Sequence, residues 1–182
     1  MNACRNCELW ERATQAVPGE GNGRATIMLV GEQPGDQEDL DGHPFIGPAG
    51  KLLDRALAEA GVDRRKVFVT NAVKHFSWEP RGKRRIHKKP TLKQVAACVD
   101  WLFKEIELVR PRVIVCLGAT AAQALLGPRV KVTELRGQFV ASELPAKVLV
   151  TVHPSSILRG APEDRAASFA RFVADLTPLK GS

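Results

Sequence analysis

No stretch of this chain is apolar for long enough to cross a bilayer. The longest mostly apolar run, Val113 to Gly127, is interrupted by Thr120 and Gln123 and is shorter than the roughly 20 residues a spanning helix needs. The opening residues Met1-Asn2-Ala3-Cys4-Arg5-Asn6-Cys7-Glu8 are polar, without the apolar core of a secretory signal. Internal repeats, linkers and low-complexity segments are absent too, which points to one domain over residues 1–182. Cysteine is scarce, with four in the chain. These absences together predict a cytoplasmic protein that uses no membrane, in which cysteines serve as thiols or metal ligands rather than disulfides.

What is present is an ordinary globular composition, 44% apolar and 26% charged, in a chain long enough for a real core. Lysine and arginine number 27 against 20 acidic residues, a net charge of +7. That excess suggests a polyanionic partner, without separating nucleic acid from another anionic surface.

Strand-like apolar runs fall at Ala25–Val30, Lys66–Thr70, Arg112–Leu117 and Lys147–Val152. Between or after them lie helical patterns. Pro48–Ala60 has apolar residues at helical spacing and stops at Gly61. Thr91 and Gln94 form a capping box opening a helix that runs to Val109, before Pro111. Ala119–Leu126 and Glu163–Asp175 complete the set, and Val132–Val140 reads as a short hairpin or edge strand. The alternation predicts an α/β fold, a three-layer α/β/α sandwich around a mainly four-stranded parallel sheet. All four strands then end on one edge, at Gly31-Glu32-Gln33, Asn71, Gly118 and His153. Open α/β sheets carry their chemistry at that edge. Gly19-Glu20-Gly21-Asn22-Gly23 precedes a strand instead of following one. It therefore fails the context of a phosphate loop and reads as a flexible connection.

Glu32, Gln33, Asp36 and Asp39 crowd the first loop, where Pro34-Gly35 forces a turn. A solvated acidic turn is the plain alternative. Phe45 by default is a core aromatic and Asn71 a turn former. His153 is held extended by Pro154, with Ser155 and Ser156 able to turn the chain or donate to phosphate. Arg81, Lys83, Arg84, Arg85, Lys88 and Lys89 surround His87 in a segment without apolar periodicity. Such a run is either a solvated loop or a saddle for phosphates, and its cations should keep the His87 imidazole neutral. Cys4 and Cys7 lie near the N-terminus, with Cys98 and Cys116 far downstream. Cys98 and Cys116 could be small core residues, or all four could bind zinc.

The segment GEQPGDQEDLDGHPFIGPAGKLLD (31–54), together with His153-Pro154-Ser155-Ser156-Ile157-Leu158-Arg159, resembles the two active-site motifs of the uracil-DNA glycosylase superfamily. The four cysteines place the likeness in its iron–sulfur branch, family four, over nearly the whole chain. Gly82-Lys83-Arg84-Arg85-Ile86-His87 departs from that branch and resembles the extra loop of the UdgX-type members, which bond covalently to DNA. Gln33 sides with those members as well, since ordinary iron–sulfur members usually carry Ala there.

The resemblance implies roles. Glu32 would support departure of the base from an oxocarbenium-like sugar. Phe45 would stack on a flipped uracil. Asn71 would pair with its N3–H and O4 and reject cytosine. His153 would donate to O2 of the departing uracil anion. Gln33, Asp36 and Asp39 would assist substrate binding, and Lys83, Arg84, Arg85, Ser155, Ser156 and Arg159 would contact DNA. Cys4, Cys7, Cys98 and Cys116 would hold a [4Fe–4S] cluster, with zinc as the chemical alternative. His87 would capture C1′ of the sugar once uracil has left. The expected partner is uracil-containing DNA, single strands included, bound by a monomer. The rival readings are an ordinary turnover glycosylase whose basic loop only grips DNA, and a non-catalytic nucleic-acid-binding module.

Overall fold

The computed structural model describes all of residues 1–182. Four parallel strands form the centre of a six-stranded sheet. They are β2 (Ile27–Gly31), β3 (Val67–Asn71), β6 (Val113–Leu117) and β8 (Lys147–Thr151), in the spatial order β3-β2-β6-β8. Every residue of β2, β3 and β6 is buried, as expected of strands covered on both faces. Side chains alternate accordingly. Ile27 and Leu29 of β2 face one layer with Leu53, Leu57, Phe172 and Leu176. Met28 and Val30 face the other, with Leu102, Ile106 and Cys116. The first layer is built from α2 (Pro48–Glu59) and α7 (Arg165–Leu176), the second from α3 (Leu92–Val109) and α4 (Ala119–Leu126). The three-layer α/β/α sandwich read from the sequence is therefore the observed fold. No helix is long and apolar enough to cross a membrane.

Helix ends follow their local signals. Thr91 and Gln94 form the reciprocal capping box, Gln94 N donating to Thr91 Oγ1 at 3.2 Å and Thr91 N to Gln94 Oε1 at 2.8 Å. Four elements differ from expectation. The glycine-rich segment before β2 is not a loose connection: β1 (Glu20–Gly21) pairs antiparallel with β3 at one edge of the sheet. The acidic segment after β2 is a short helix, α1 (Asp36–Asp41), not an open turn. Residues 132–140 differ only in part: the expected edge strand is present as β7 (Gln138–Val140), antiparallel to β8, but one helical turn, α5 (Val132–Leu135), precedes it.

The fourth difference matters most. The basic segment is not a loop but a two-stranded hairpin, β4 (Trp78–Arg81) and β5 (Arg84–His87), separate from the main sheet. Its turn is Gly82-Lys83, with Gly82 at φ 60°, the left-handed geometry that two-residue hairpin turns demand and glycine supplies. Apolar periodicity could not signal this hairpin, because most of its residues face solvent.

Candidate active site

Strand register brings the predicted edge together. Gly31 pairs with Asn71, Val30 with Cys116, and Leu117 with Thr151. Backbone pairing continues past the strand, with Ala72 N donating to Gly31 O at 2.9 Å and Val73 N to Glu32 O at 3.0 Å. Glu32 therefore sits on fixed backbone at the sheet's C-terminal edge. One carboxylate oxygen accepts a hydrogen bond from Thr120 Oγ1 at the start of α4. The other lies 3.2 Å from His87 Nε2. Burial raises the Glu32 carboxyl pKa, but the bonds from His87 and Thr120 and the nearby imidazoles of His87 and His153 outweigh it, leaving the group below its ordinary value. It is an ionised carboxylate in a recessed setting, where its charge acts strongly on a developing cation. His87 thus faces a carboxylate, not only the cations around it in the sequence, and its side chain is about half exposed.

Asn71 is buried, and its Nδ2 has no hydrogen-bond partner. An unsatisfied buried amide is costly unless a ligand completes it. A side chain at position 31 would collide with the Asn71 Oδ1 and the Phe45 ring. Glycine there lets carboxamide and aromatic close on the same space. Phe45 itself adopts φ 59°, a strained value for a bulky residue. Glu38 holds it: this buried carboxylate accepts from Gly35 N at 2.7 Å and from the backbone N–H groups of Gly47 and Phe45. Behind Asn71, fully buried Lys74 donates to the Asn71 carbonyl at 2.7 Å, to Thr70 Oγ1 at 2.6 Å and to Glu105 Oε2 at 2.7 Å.

His153 stacks near Phe45, ring centroids 6.2 Å apart and 29° from parallel. Its Nδ1 accepts from Ser155 N at 3.2 Å and lies 2.7 Å from Ser155 Oγ, which in turn accepts from Arg159 Nη1 at 3.0 Å. A backbone N–H can only donate, so Nδ1 is the acceptor and a neutral ring carries its proton on Nε2. Burial drives the His153 pKa down to about 4, against the raising effect of Glu32, with Arg159 and His87 adding to the fall. The neutral donor is the protonation state this site holds. Ser155 and Arg159 are turned toward His153, and Ser156 Oγ donates to the His153 carbonyl at 2.7 Å. All three organise the turn that presents the imidazole.

Gln33 does not face solvent. Its Nε2 donates to Ser77 O at 3.0 Å and Lys88 O at 3.2 Å, and its Oε1 accepts from Ser77 N at 3.0 Å. Ser77 precedes β4 and Lys88 follows β5, so one carboxamide ties the root of the hairpin to the loop that carries Glu32. Arg85 fastens the hairpin from the other side. Its guanidinium lies 2.6 Å from both Asp36 Oδ1 and Asp39 Oδ2. Asp39, fully buried, also accepts from Thr14 N and Oγ1. Asp36 and Asp39 are thus occupied in holding the arm and are not turned to a substrate, and Arg85 is not free for phosphate. Lys83 and Arg84 remain exposed. Sequence reading missed Thr120, Lys74, Glu105, Glu38 and Thr14. Thr120, Lys74, Glu105 and Thr14 act through contacts distant in the chain, whereas Glu38 acts within its own loop, three residues from Gly35. Only the lone lysine in Asn71-Ala72-Val73-Lys74-His75-Phe76 was a signal in itself.

Among the cysteines, Cys4 is close enough to Cys7 to raise its thiol pKa electrostatically, beside the larger effect of burial, and both act on Cys98. Cys4 Sγ accepts from Trp101 Nε1 at 3.4 Å, and Cys98 Sγ from Lys74 N at 3.2 Å. Burial pushes Cys98 up to about 11, and Cys116, in β6, up to about 12. No three metal-binding side chains close to single-ion spacing, which does not fit the tight tetrahedron that zinc requires. Cys4, Cys7 and Cys98 share a neighbourhood between the N-terminal segment and α3, with amide and indole donors on the sulfurs of Cys98 and Cys4, the wider setting a polynuclear cluster uses. Cys116 stands apart in β6, influenced by burial alone.

Comparison with known proteins agrees with this geometry. The uracil DNA glycosylase superfamily pattern matches residues 18–177. The chain is 39% identical over 163 residues to a type-4 uracil-DNA glycosylase of Archaeoglobus fulgidus, covering 86% of this chain and 78% of that protein. It is 41% identical over 160 residues to a type-4 uracil-DNA glycosylase of Thermotoga maritima, covering 87% and 80%. A type-5 uracil-DNA glycosylase of Pyrobaculum aerophilum is 33% identical over 137 residues, 67% of this chain and 57% of that one. The chain belongs to the uracil-DNA glycosylase superfamily.

Proposed function

We propose that the protein excises uracil from DNA and then holds the sugar covalently through His87. Asn71, whose buried Nδ2 has no partner, reads the base edge, and Phe45 stacks on the extruded ring. The bond from N1 to C1′ breaks with its electron pair passing to uracil. His153 Nε2–H donates to O2 of the resulting anion, and ionised Glu32 stabilises the cationic sugar. The His87 lone pair then forms a bond to C1′ while the ring proton passes to the Glu32 carboxylate. The product is a neutral N-glycosyl imidazole, a poor leaving species, so the adduct persists. The observation that carries this reading is the 3.2 Å approach of His87 to Glu32, made by a hairpin rooted through Gln33. One chain supplies every group, and uracil-containing DNA, single strands included, is the substrate. Cys4, Cys7, Cys98 and Cys116 would hold a [4Fe–4S] cluster, which ties the N-terminal segment to α3 and β6 and takes no part in these steps.

The second reading, favoured by the type-4 names of the relatives, is ordinary turnover, with water attacking C1′. Denaturing electrophoresis after incubation with a uracil-containing oligonucleotide separates the two. Capture gives a denaturant-stable band absent from a thymine control, and turnover gives only free abasic DNA. His87→Ser should lose the band yet still release uracil, now repeatedly, whereas Glu32→Ala should slow release and adduct together. A sugar remnant mapped to any residue other than His87 would refute the capture assignment.

A further inference from the structure

We infer that the groove between α3 and α4 is a subsite for the nucleobase next to the target nucleotide on the same DNA strand. The inference rests on the reading that the protein acts on DNA.

The groove encloses about 620 Å³, ample for a heterocycle, and it begins at the reacting centre. Thr120, whose hydroxyl binds Glu32, forms one wall. Lys89 and Pro90, just beyond His87 in the chain, form the opposite one. A strand whose C1′ lies against Glu32 and His87 therefore carries its neighbouring nucleotide past this opening. Extruding one base deprives the next of its stacking partner, so an apolar surface there recovers part of the cost. Leu92 and Ala96 supply that surface over the buried Pro90 and Val95, with the Gln123 carboxamide within the wall for a polar edge.

Charge selects the occupant. Lys89 is the one charged residue lining the groove, and no carboxylate lines it. Lys88, Lys93 and Arg129, chain neighbours of lining residues, are all exposed. This suits a base attached to a phosphate backbone and disfavours an acidic peptide. Leu92 is 67% exposed, a large apolar side chain left uncovered at the rim. With no aromatic ring in the wall, contact is by apolar area, so a purine should be favoured over a pyrimidine without strict sequence choice.

The test is single-turnover uracil release from single-stranded oligonucleotides in which one abasic spacer is moved through the positions flanking uracil. At one position the wild-type rate should fall about tenfold, the range expected for loss of one base contact. In Leu92→Asp, at an exposed site, and in Ala96→Phe, which fills the groove, that penalty should vanish because the intact substrate is already slowed. The inference is overturned if no position shows a penalty, or if the penalty survives both substitutions. If wild-type releases no uracil even from intact DNA, the glycosylase reading itself has failed. Binding of an oligonucleotide with 2-aminopurine beside the target site then decides the subsite alone. A fluorescence change lost in both variants supports it, and its absence in wild-type, or its persistence in the variants, overturns it.

Discussion

Replacing Gln33 with Ala should uncouple capture from excision. The substitution removes three hydrogen bonds, two donated to Ser77 O and Lys88 O and one accepted from Ser77 N. At roughly 1 kcal/mol net for each such bond, the docked hairpin root loses about 3 kcal/mol. A tenfold effect corresponds to about 1.4 kcal/mol, so adduct formation should slow by roughly 100-fold if the whole loss falls on the placement of His87. The arm does not come free altogether. Arg85 still bridges Asp36 and Asp39, Trp78 Nε1 still donates to Arg12 O at 3.0 Å, and Lys88 N still donates to Ser77 O at 2.9 Å. What loosens is the 3.2 Å approach to Glu32.

In the proposed mechanism uracil departure uses Glu32, Asn71 and His153, and Gln33 hydrogen-bonds to none of them, so release should change far less than capture. The assay is a single-turnover time course read twice, as free uracil and as denaturant-stable adduct. Gln33→Glu should be at least as damaging. Its carboxylate can still accept from Ser77 N but repels the two carbonyls in a buried setting. Equal slowing of release and adduct in Gln33→Ala would show that Gln33 acts on the base. An unchanged adduct rate would show that the hairpin needs no root there. Either result refutes the positioning argument.

Uracil release by His87→Ser should stay active as pH falls through 6.5 and fail only toward about 4, because burial keeps His153 neutral over that window; an inflection at an ordinary histidine pKa contradicts the neutral donor. The unfolded chain takes up the proton that folded His153 refuses, so stability should decline as pH drops from about 6.5 toward 4, measurable by thermal melts that His153→Gln flattens. Neutralising Lys83 or Arg84 should shallow the salt dependence of DNA binding, whereas Arg85→Ala should cost about 3 kcal/mol of stability by stranding the buried Asp39 carboxylate, read by denaturant titration. The purified protein should be brown and contain iron, and Cys98→Ala should bleach it and lower its melting temperature; a colourless preparation with stoichiometric zinc would overturn the cluster.

The sheet was legible in the sequence because its strands are buried on both faces and its helices stop where glycine, proline and capping residues say so. The convergence of Glu32, Asn71 and His153 followed from topology, since parallel strands must end on one edge. Contacts between segments far apart in the chain were not legible. Asp36 and Asp39 have the right chemistry to meet a substrate, and nothing local shows that Arg85, more than forty residues later, claims both. Thr120 is an unremarkable residue of a helix start until the fold sets its hydroxyl on Glu32. The hairpin was hidden for another reason. An exposed two-stranded ribbon has no buried face to write an alternating pattern, so its sequence records only the turn glycine and the charge.

In the proposed mechanism that hidden hairpin carries the distinction between excision and capture. The groups that would break the glycosidic bond lie on the sheet edge and on the loops and helix starts that follow it, and they are fixed by core packing. The group that would keep the sugar lies on an appendage fastened by a few side chains, the Gln33 carboxamide, Arg85 and the Trp78 indole. Capture can therefore be lost without disturbing the scaffold. Ordered by distance from the sheet, substitutions should first spare both activities, then remove capture alone at Gln33 and His87, and finally remove both at Glu32. A reversal of that order, with excision more fragile than capture to changes in the hairpin, would mean that the arm belongs to the base-release machinery.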